Sequence, residues 1–164
     1  MNNFVSEKIK MKSNARLAFV QATYMAEFAQ NPIEEVLQDF LNDRVGRFVI
    51  EENQFEEEKM LEVGEMDKEY FVSLVNGLCE HKADILNSMN VFLKEGRNFE
   101  HFDATMRSLL MCAAYELVYT TDVDVKVIIQ EYVDLAYAFF SKNEPKMVNA
   151  LLDTIAKKVR LTDS

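Results

Sequence analysis

The sequence predicts an all-α fold of about seven helices, and three observations lead there. Gly and Pro number four and two in 164 residues, too few for the turns of an all-β fold. Nine Met and no Trp suit helices whose packing gaps are filled by an unbranched side chain. Apolar residues recur at three- and four-residue spacing along most of the chain. The length suits one domain with a sizeable core, and a hydrophobic fraction of 49% excludes a disordered chain.

Residues 1–12 read as a basic flexible arm and 13–160 as a single helical domain, with 46–66 an acidic loop insertion. Ser13 suits an N-cap. Leu17, Val20, Tyr24 and Phe28 follow at helical spacing. Asn31-Pro32 opens a second helix, with Glu34 and Glu35 where the dipole favours acids. Its apolar face is Val36, Leu37, Phe40 and Leu41. From Gly46 to Met66 the amphipathic pattern fades, and a charged loop with a short helical piece is expected.

Asp67 caps a helix to about Lys82, and a second segment carries Ile85, Leu86, Met89, Phe92 and Leu93 up to Gly96. Asp103 starts a helix bearing Met106, Leu109, Leu110, Ala113, Ala114 and Leu117. Val125 to Phe140 forms another. Its β-prone "KVII" at 126–129 is overridden by a longer helical period. The last helix begins near Ser141–Pro145, with Ser141 or Asn143 as cap, and carries Val148, Leu151, Leu152, Ile155 and Val159. No strand is expected.

Net charge is −10, unevenly spread. Residues 51–67 sum to −7, whereas Lys8, Lys10, Lys12 and Arg16 against Glu7 make a local +3. An acidic total therefore does not exclude nucleic acid, because a segregated basic segment can contact phosphates. Cys79 and Cys112 fit no CxxC pattern and sit in apolar segments, which reads as buried free thiols. The longest clean apolar run, Leu109 to Tyr115, is too short to span a bilayer. With no secretory signal visible, a cytoplasmic protein is expected.

Catalytic chemistry is sparse. His81 and His101, the two histidines, complete no Glu-x-x-His metal motif. There is no phosphate loop, nucleophile elbow or thiol–imidazole signature. No catalytic residue, metal or cofactor is expected, and the protein reads as a non-enzyme. Glu116 and Glu131 lie in apolar segments beside tyrosines. They are read as structural carboxylates bonded across helices, Glu131 with Asn149 as one such pair, rather than as an acid/base pair. Lys157, Lys158 and Arg160 at the end of the last helix are accounted for by its dipole.

The motif order resembles the NusB family of transcription antitermination factors. "AAYELVYTTDVDVKVIIQEYVDLAYAFF" followed by "PKMVNALLDTI" is similar to that family's Tyr-Glu-Leu helix, Asp-containing link, Glu-Leu-Ala helix and closing Lys-Phe-Val-Asn-Gly-Val-Leu-Asp. "ARLAFVQATY" is similar to its Arg-x-x-Ala-x-Gln-Ala-Leu-Tyr helix, and "LVNGL" at 74–78 to a middle-helix motif. The resemblance covers about residues 13–158. It implies an all-α fold of two small packed helical bundles.

It also implies an RNA-binding adaptor that pairs with the ribosomal protein NusE, holds boxA-type single-stranded RNA and joins an RNA polymerase antitermination complex on ribosomal RNA. RNA-binding roles carry over to Lys10, Lys12, Arg16, Lys146 and Asn149, and partner-binding roles to Tyr24 and Phe28. A homodimer of the free chain stays open. This chain departs from the family by Lys in place of an Arg-rich arm, and Lys lacks the guanidinium fork. Met147 stands where the family has Phe, Ala150 where it has Gly, and Met111 where it often has Arg. The weakly basic arm and the net charge of −10 motivate a second reading, a protein-only NusE-binding adaptor with lost or weak RNA affinity.

Overall fold

The computed structural model describes residues 2–42, 47–50, 59–62, 65–93, 98–141 and 143–160. Six α-helices dominate: α1 (Asn2–Glu27), α2 (Ile33–Leu41), α3 (Lys68–Phe92), α4 (Ala104–Tyr119), α5 (Val125–Phe139) and α6 (Glu144–Arg160). A 3-10 turn, Phe99–His101, precedes α4. The chain divides into two compact units, 1–76 and 77–164, so α3 contributes to both.

In the first unit α1 packs on α2, and Phe40 meets Phe71 with ring centroids 5.4 Å apart. Residues 2–12, expected to belong to a flexible arm, form the start of α1, and Ser13 lies inside the helix rather than capping it. The reason is local. Residues 6–12 contain no Gly or Pro, and Lys, Glu and Met are good helix formers. Gln30 ends this part of the chain at φ 61°, the left-handed conformation that closes helices. Pro32 sits immediately before α2 as its N-cap.

The acidic insertion also departs from expectation. Two short strands, β1 (Arg47–Ile50) and β2 (Lys59–Glu62), pair antiparallel with Arg47 opposite Glu62 and Ile50 opposite Lys59. "RFVI" and "KMLE" were missed because four residues give too short a window to separate strand from loop. Residues 46, 51–58 and 63–64 of the acidic insertion lie outside the described residues.

Asp67 caps α3 as expected, its Oδ1 accepting from the Tyr70 N–H at 3.0 Å. The break expected near Lys82 does not occur. Nothing from His81 to Asp84 lacks an amide proton or favours another backbone region, so the helix runs on. Gly77 within it faces Tyr115, and a Cβ at position 77 would overlap that phenol ring.

In the second unit α4, α5 and α6 pack on one another. Asp103 caps α4 by accepting from Met106 N–H at 2.8 Å, and Asp124 caps α5 by accepting from Lys126 N–H at 2.8 Å. Asn143 rather than Ser141 starts α6, its carbonyl accepting from Met147 N–H at 3.1 Å. Ile128, Tyr132, Ala136 and Phe139 of α5 are all buried, so tertiary burial overrides the β-propensity of "KVII".

α4 is buried on every face from Thr105 to Leu117 except at Arg107. Its carboxyl end therefore needs donors. Arg160 supplies them: Nε donates to Leu117 O at 2.8 Å, Nη1 to Val123 O at 2.7 Å, and Nη2 to Thr120 O at 2.9 Å and Glu116 O at 3.2 Å. The basic end of α6 thus does more than answer its own dipole, and that role was not visible in the sequence.

Arg160→Lys is expected to lower thermal stability by about 2–3 kcal/mol, since one ammonium cannot reach four carbonyls spread along a turn. Denaturant unfolding of the two proteins checks this. Gly77→Ala is expected to destabilise despite the roughly 1 kcal/mol that Ala gains over Gly in a helix. Combining it with Tyr115→Ala should make the pair less costly than the sum of the single substitutions, as measured by a double-mutant cycle.

Candidate nucleic-acid interface

Once residues 6–12 are helical, the basic residues acquire a geometry. Lys8, Lys12 and Arg16 fall four residues apart and so share one face of α1, with Lys10 turned away from it. Lys8, Lys10 and Lys12 are exposed, whereas Arg16 is only 4% exposed.

Arg16 is held by Tyr70 at the first turn of α3. Its Nη2 donates to the Tyr70 hydroxyl at 2.9 Å, and its guanidinium lies 5.2 Å from the ring centroid. The Lys12 ammonium lies 5.0 Å from the centroid of the same ring. Two cations on one π-system stabilise it by about 0.5–1 kcal/mol each at exposed positions, more where water is excluded. Two further bonds tie the segment before α3 to α1: Asp67 N–H donates to Met11 O at 3.1 Å, and Asn14 Nδ2 donates to Glu65 O at 2.8 Å.

The other residues singled out in the sequence lie elsewhere. Tyr24 and Phe28 are half-buried near the end of α1, ring centroids 6.2 Å apart. Lys146 and Asn149 are exposed on the first turns of α6 in the second unit. Glu116 is fully buried, and the Tyr132 hydroxyl donates to its Oε2 at 2.6 Å. Glu131 is half-buried and Asn149 exposed, whereas the buried cross-helix bond is the one from Tyr132 to Glu116. Cys112 is buried, but Cys79 is exposed, contrary to expectation. It lies on α3 between buried Leu78 and exposed Glu80, just off the apolar stripe.

Two contributors gain their role only from the structure. Lys8, counted in the local +3 but given no site role, joins Lys12 and Arg16 in an i, i+4, i+8 series once the segment is helical. Tyr70 carried no signal, because its partner Arg16 is 54 positions away.

An aromatic cluster in the second unit was not anticipated either. His81 stacks on Tyr119 with centroids 3.9 Å apart, and Tyr115 lies 5.4 Å from Tyr119. Burial, then the nearby Glu116, Glu80 and Tyr119, push the Tyr115 phenol above its ordinary value, and burial followed by Asp84 does the same for Tyr119. Among the described residues, no three metal-ligating side chains cluster, and no helix is long and apolar enough to cross a membrane.

The fold is that of a small, predominantly helical protein of two units, with a lysine-bearing first helix and partly covered aromatics near that helix's end. The comparisons with known proteins make the class specific. A profile of the NusB family matches residues 13–157. The transcription antitermination protein NusB of Novosphingobium aromaticivorans is 37% identical over 151 residues, 92% of this chain and 96% of that protein. Its namesake from Maricaulis maris is 34% identical over 153 residues, covering 93% and 90%. The fold is similar to that of T. maritima NusB, with a TM-score of 0.68 and 24% identity over 89% of this chain and 90% of that one. The chain belongs to the NusB family of transcription antitermination proteins.

The arrangement around Tyr70 separates two kinds of basic residue. Arg16→Ala is expected to lower stability by about 1–2 kcal/mol, because it removes a packed guanidinium and the hydrogen bond to Tyr70. Lys10→Ala is expected to stay within about 0.5 kcal/mol of the parent, as exposed substitutions do. Paired thermal melts check the contrast.

Proposed function

We propose that this protein is a non-enzymatic adaptor that pairs with the ribosomal protein NusE and, with it, holds boxA-type single-stranded RNA during transcription of ribosomal RNA. The proposed setting is the cytoplasm, and the larger assembly is the RNA polymerase antitermination complex. The observation that carries this reading is the row of exposed lysines on the first turns of α1, in a chain of net charge −10.

In this reading Lys8, Lys10 and Lys12 contact phosphates, and Lys146 and Asn149 contribute from α6. Arg16, at 4% exposure, acts by holding Tyr70 and, through it, the position of Lys12. Tyr24 and Phe28 form the protein-facing patch. An aromatic pair at an interface gives large contact area at small entropic cost, because each ring has only two side-chain torsions to fix. Glu116 and Glu131 serve structure, not chemistry.

The experiment is a titration of boxA-type RNA with and without NusE at several salt concentrations. Binding is expected to be weak alone and stronger with NusE. Three or four phosphate contacts to a single strand should lower log K by roughly 2–3 for each tenfold rise in salt. Binding to NusE with no RNA affinity even in the complex supports the protein-only adaptor, which the burial of Arg16 and the absence of an Arg-rich segment favour. Tyr24→Ala should weaken NusE binding by about 2 kcal/mol with helicity unchanged. A fall in melting temperature without loss of binding would make Tyr24 a packing residue only.

A further inference from the structure

The first turns of α1 and the residue that caps α3 border a cavity of about 410 Å³, lined by Lys8, Ile9, Met11, Lys12 and Asp67. That volume falls in the roughly 300–1,000 Å³ range of small-ligand sites. Its walls are tied together by the Asp67 N–H to Met11 O bond and by the Lys12 ammonium over the Tyr70 ring.

The lining has three chemistries. Ile9, 57% exposed, and Met11 offer an apolar and polarisable surface suited to the face of a flat ring. Lys8 and Lys12 offer positive charge beside it, suited to a phosphate. Asp67 offers a carboxylate, and only one of its oxygens is used by the cap on Tyr70 N–H. A ligand with a flat face, an anionic group and a hydrogen-bond donor on its ring edge is a nucleotide.

Resting on the RNA reading above, we propose that this cavity receives one nucleotide of the bound single strand, and that Asp67 selects a base bearing an exocyclic amino group over uracil. An ionised carboxylate only accepts hydrogen bonds. The amino groups of cytosine and adenine donate to it, as Asp and Glu accept from cytosine N4 in duplex readout. Uracil presents a carbonyl oxygen at the corresponding position, and the carboxylate repels it. Asp67 therefore has two roles, one oxygen ordering α3 and the other reading the base.

The test compares cytidine and uridine dodecamers, rC12 and rU12, binding to the full chain at low ionic strength, by fluorescence anisotropy. The wild-type protein is expected to prefer rC12 by about five- to tenfold, the effect of one discriminating base contact. Asp67→Asn keeps the cap, since Asn and Asp cap helices about equally well, and adds an amide donor that can serve the uracil carbonyl. This variant should melt as the parent does and bind the two oligomers alike. Removing a negative charge tightens both, so the ratio is the readout. Ile9→Asp should weaken both oligomers and leave the fold intact. Equal affinity in the wild type, or a preference that survives Asp67→Asn, overturns the role of Asp67 while leaving RNA binding in place. Failure of both oligomers to bind, alone and with NusE present, overturns the RNA reading and this inference together.

Discussion

The second unit depends on the cost of burying a helix end. α4 is surrounded almost completely, so the carbonyls of its last turn cannot all turn to water. An unpaired buried carbonyl costs about 1–3 kcal/mol, and a whole turn of them would exceed a fair part of a domain's net stability. Arg160 answers this with three nitrogens on four carbonyls between Glu116 and Val123. The Thr120 hydroxyl adds a bond to Glu116 O at 2.7 Å. The consequence is architectural. The end of α6 must lie against the end of α4, and the short link to α5 is held by the same guanidinium through Val123.

The two acids that interrupt the apolar pattern on α4 and α5 fit into this frame differently. Glu116 is deep, and Tyr132 reaches it from about two turns into α5, so a polar pair fixes the register of two helices that would otherwise slide on apolar contacts. Glu131 is next to Tyr132 in sequence but faces another way, half-exposed. Adjacent positions on a helix point about 100° apart, and that rotation decides which of two neighbouring residues becomes the buried one.

In the first unit an equivalent part is played by Tyr70. Its ring and hydroxyl gather Lys12 and Arg16, which turns a string of like charges into an ordered face. Like charges on one helix face repel, and the aromatic ring offsets part of that repulsion. A helical rather than unstructured basic segment also lowers the ordering cost of any binding it takes part in, since its backbone is already fixed. The sharpest departure from the sequence reading thus strengthens the functional one.

The helical class was legible in the sequence, because apolar spacing, scarce Gly and Pro, and capping residues such as Asp67 and Asp103 are local signals. Motif order carried the family. Sequence alone left open that residues 2–12 extend α1 and that α3 runs unbroken past His81, where good helix formers allow the helix without requiring it, and that four-residue strands pair within the acidic insertion, where so short a window does not choose. It could not place Arg16 against Tyr70, Tyr132 against Glu116, or Arg160 against the end of α4, pairs separated by 54, 16 and about 40 positions. Those partners are selected by the free energy of burying a polar group. That quantity is defined only once the chain has closed around the group and taken water away.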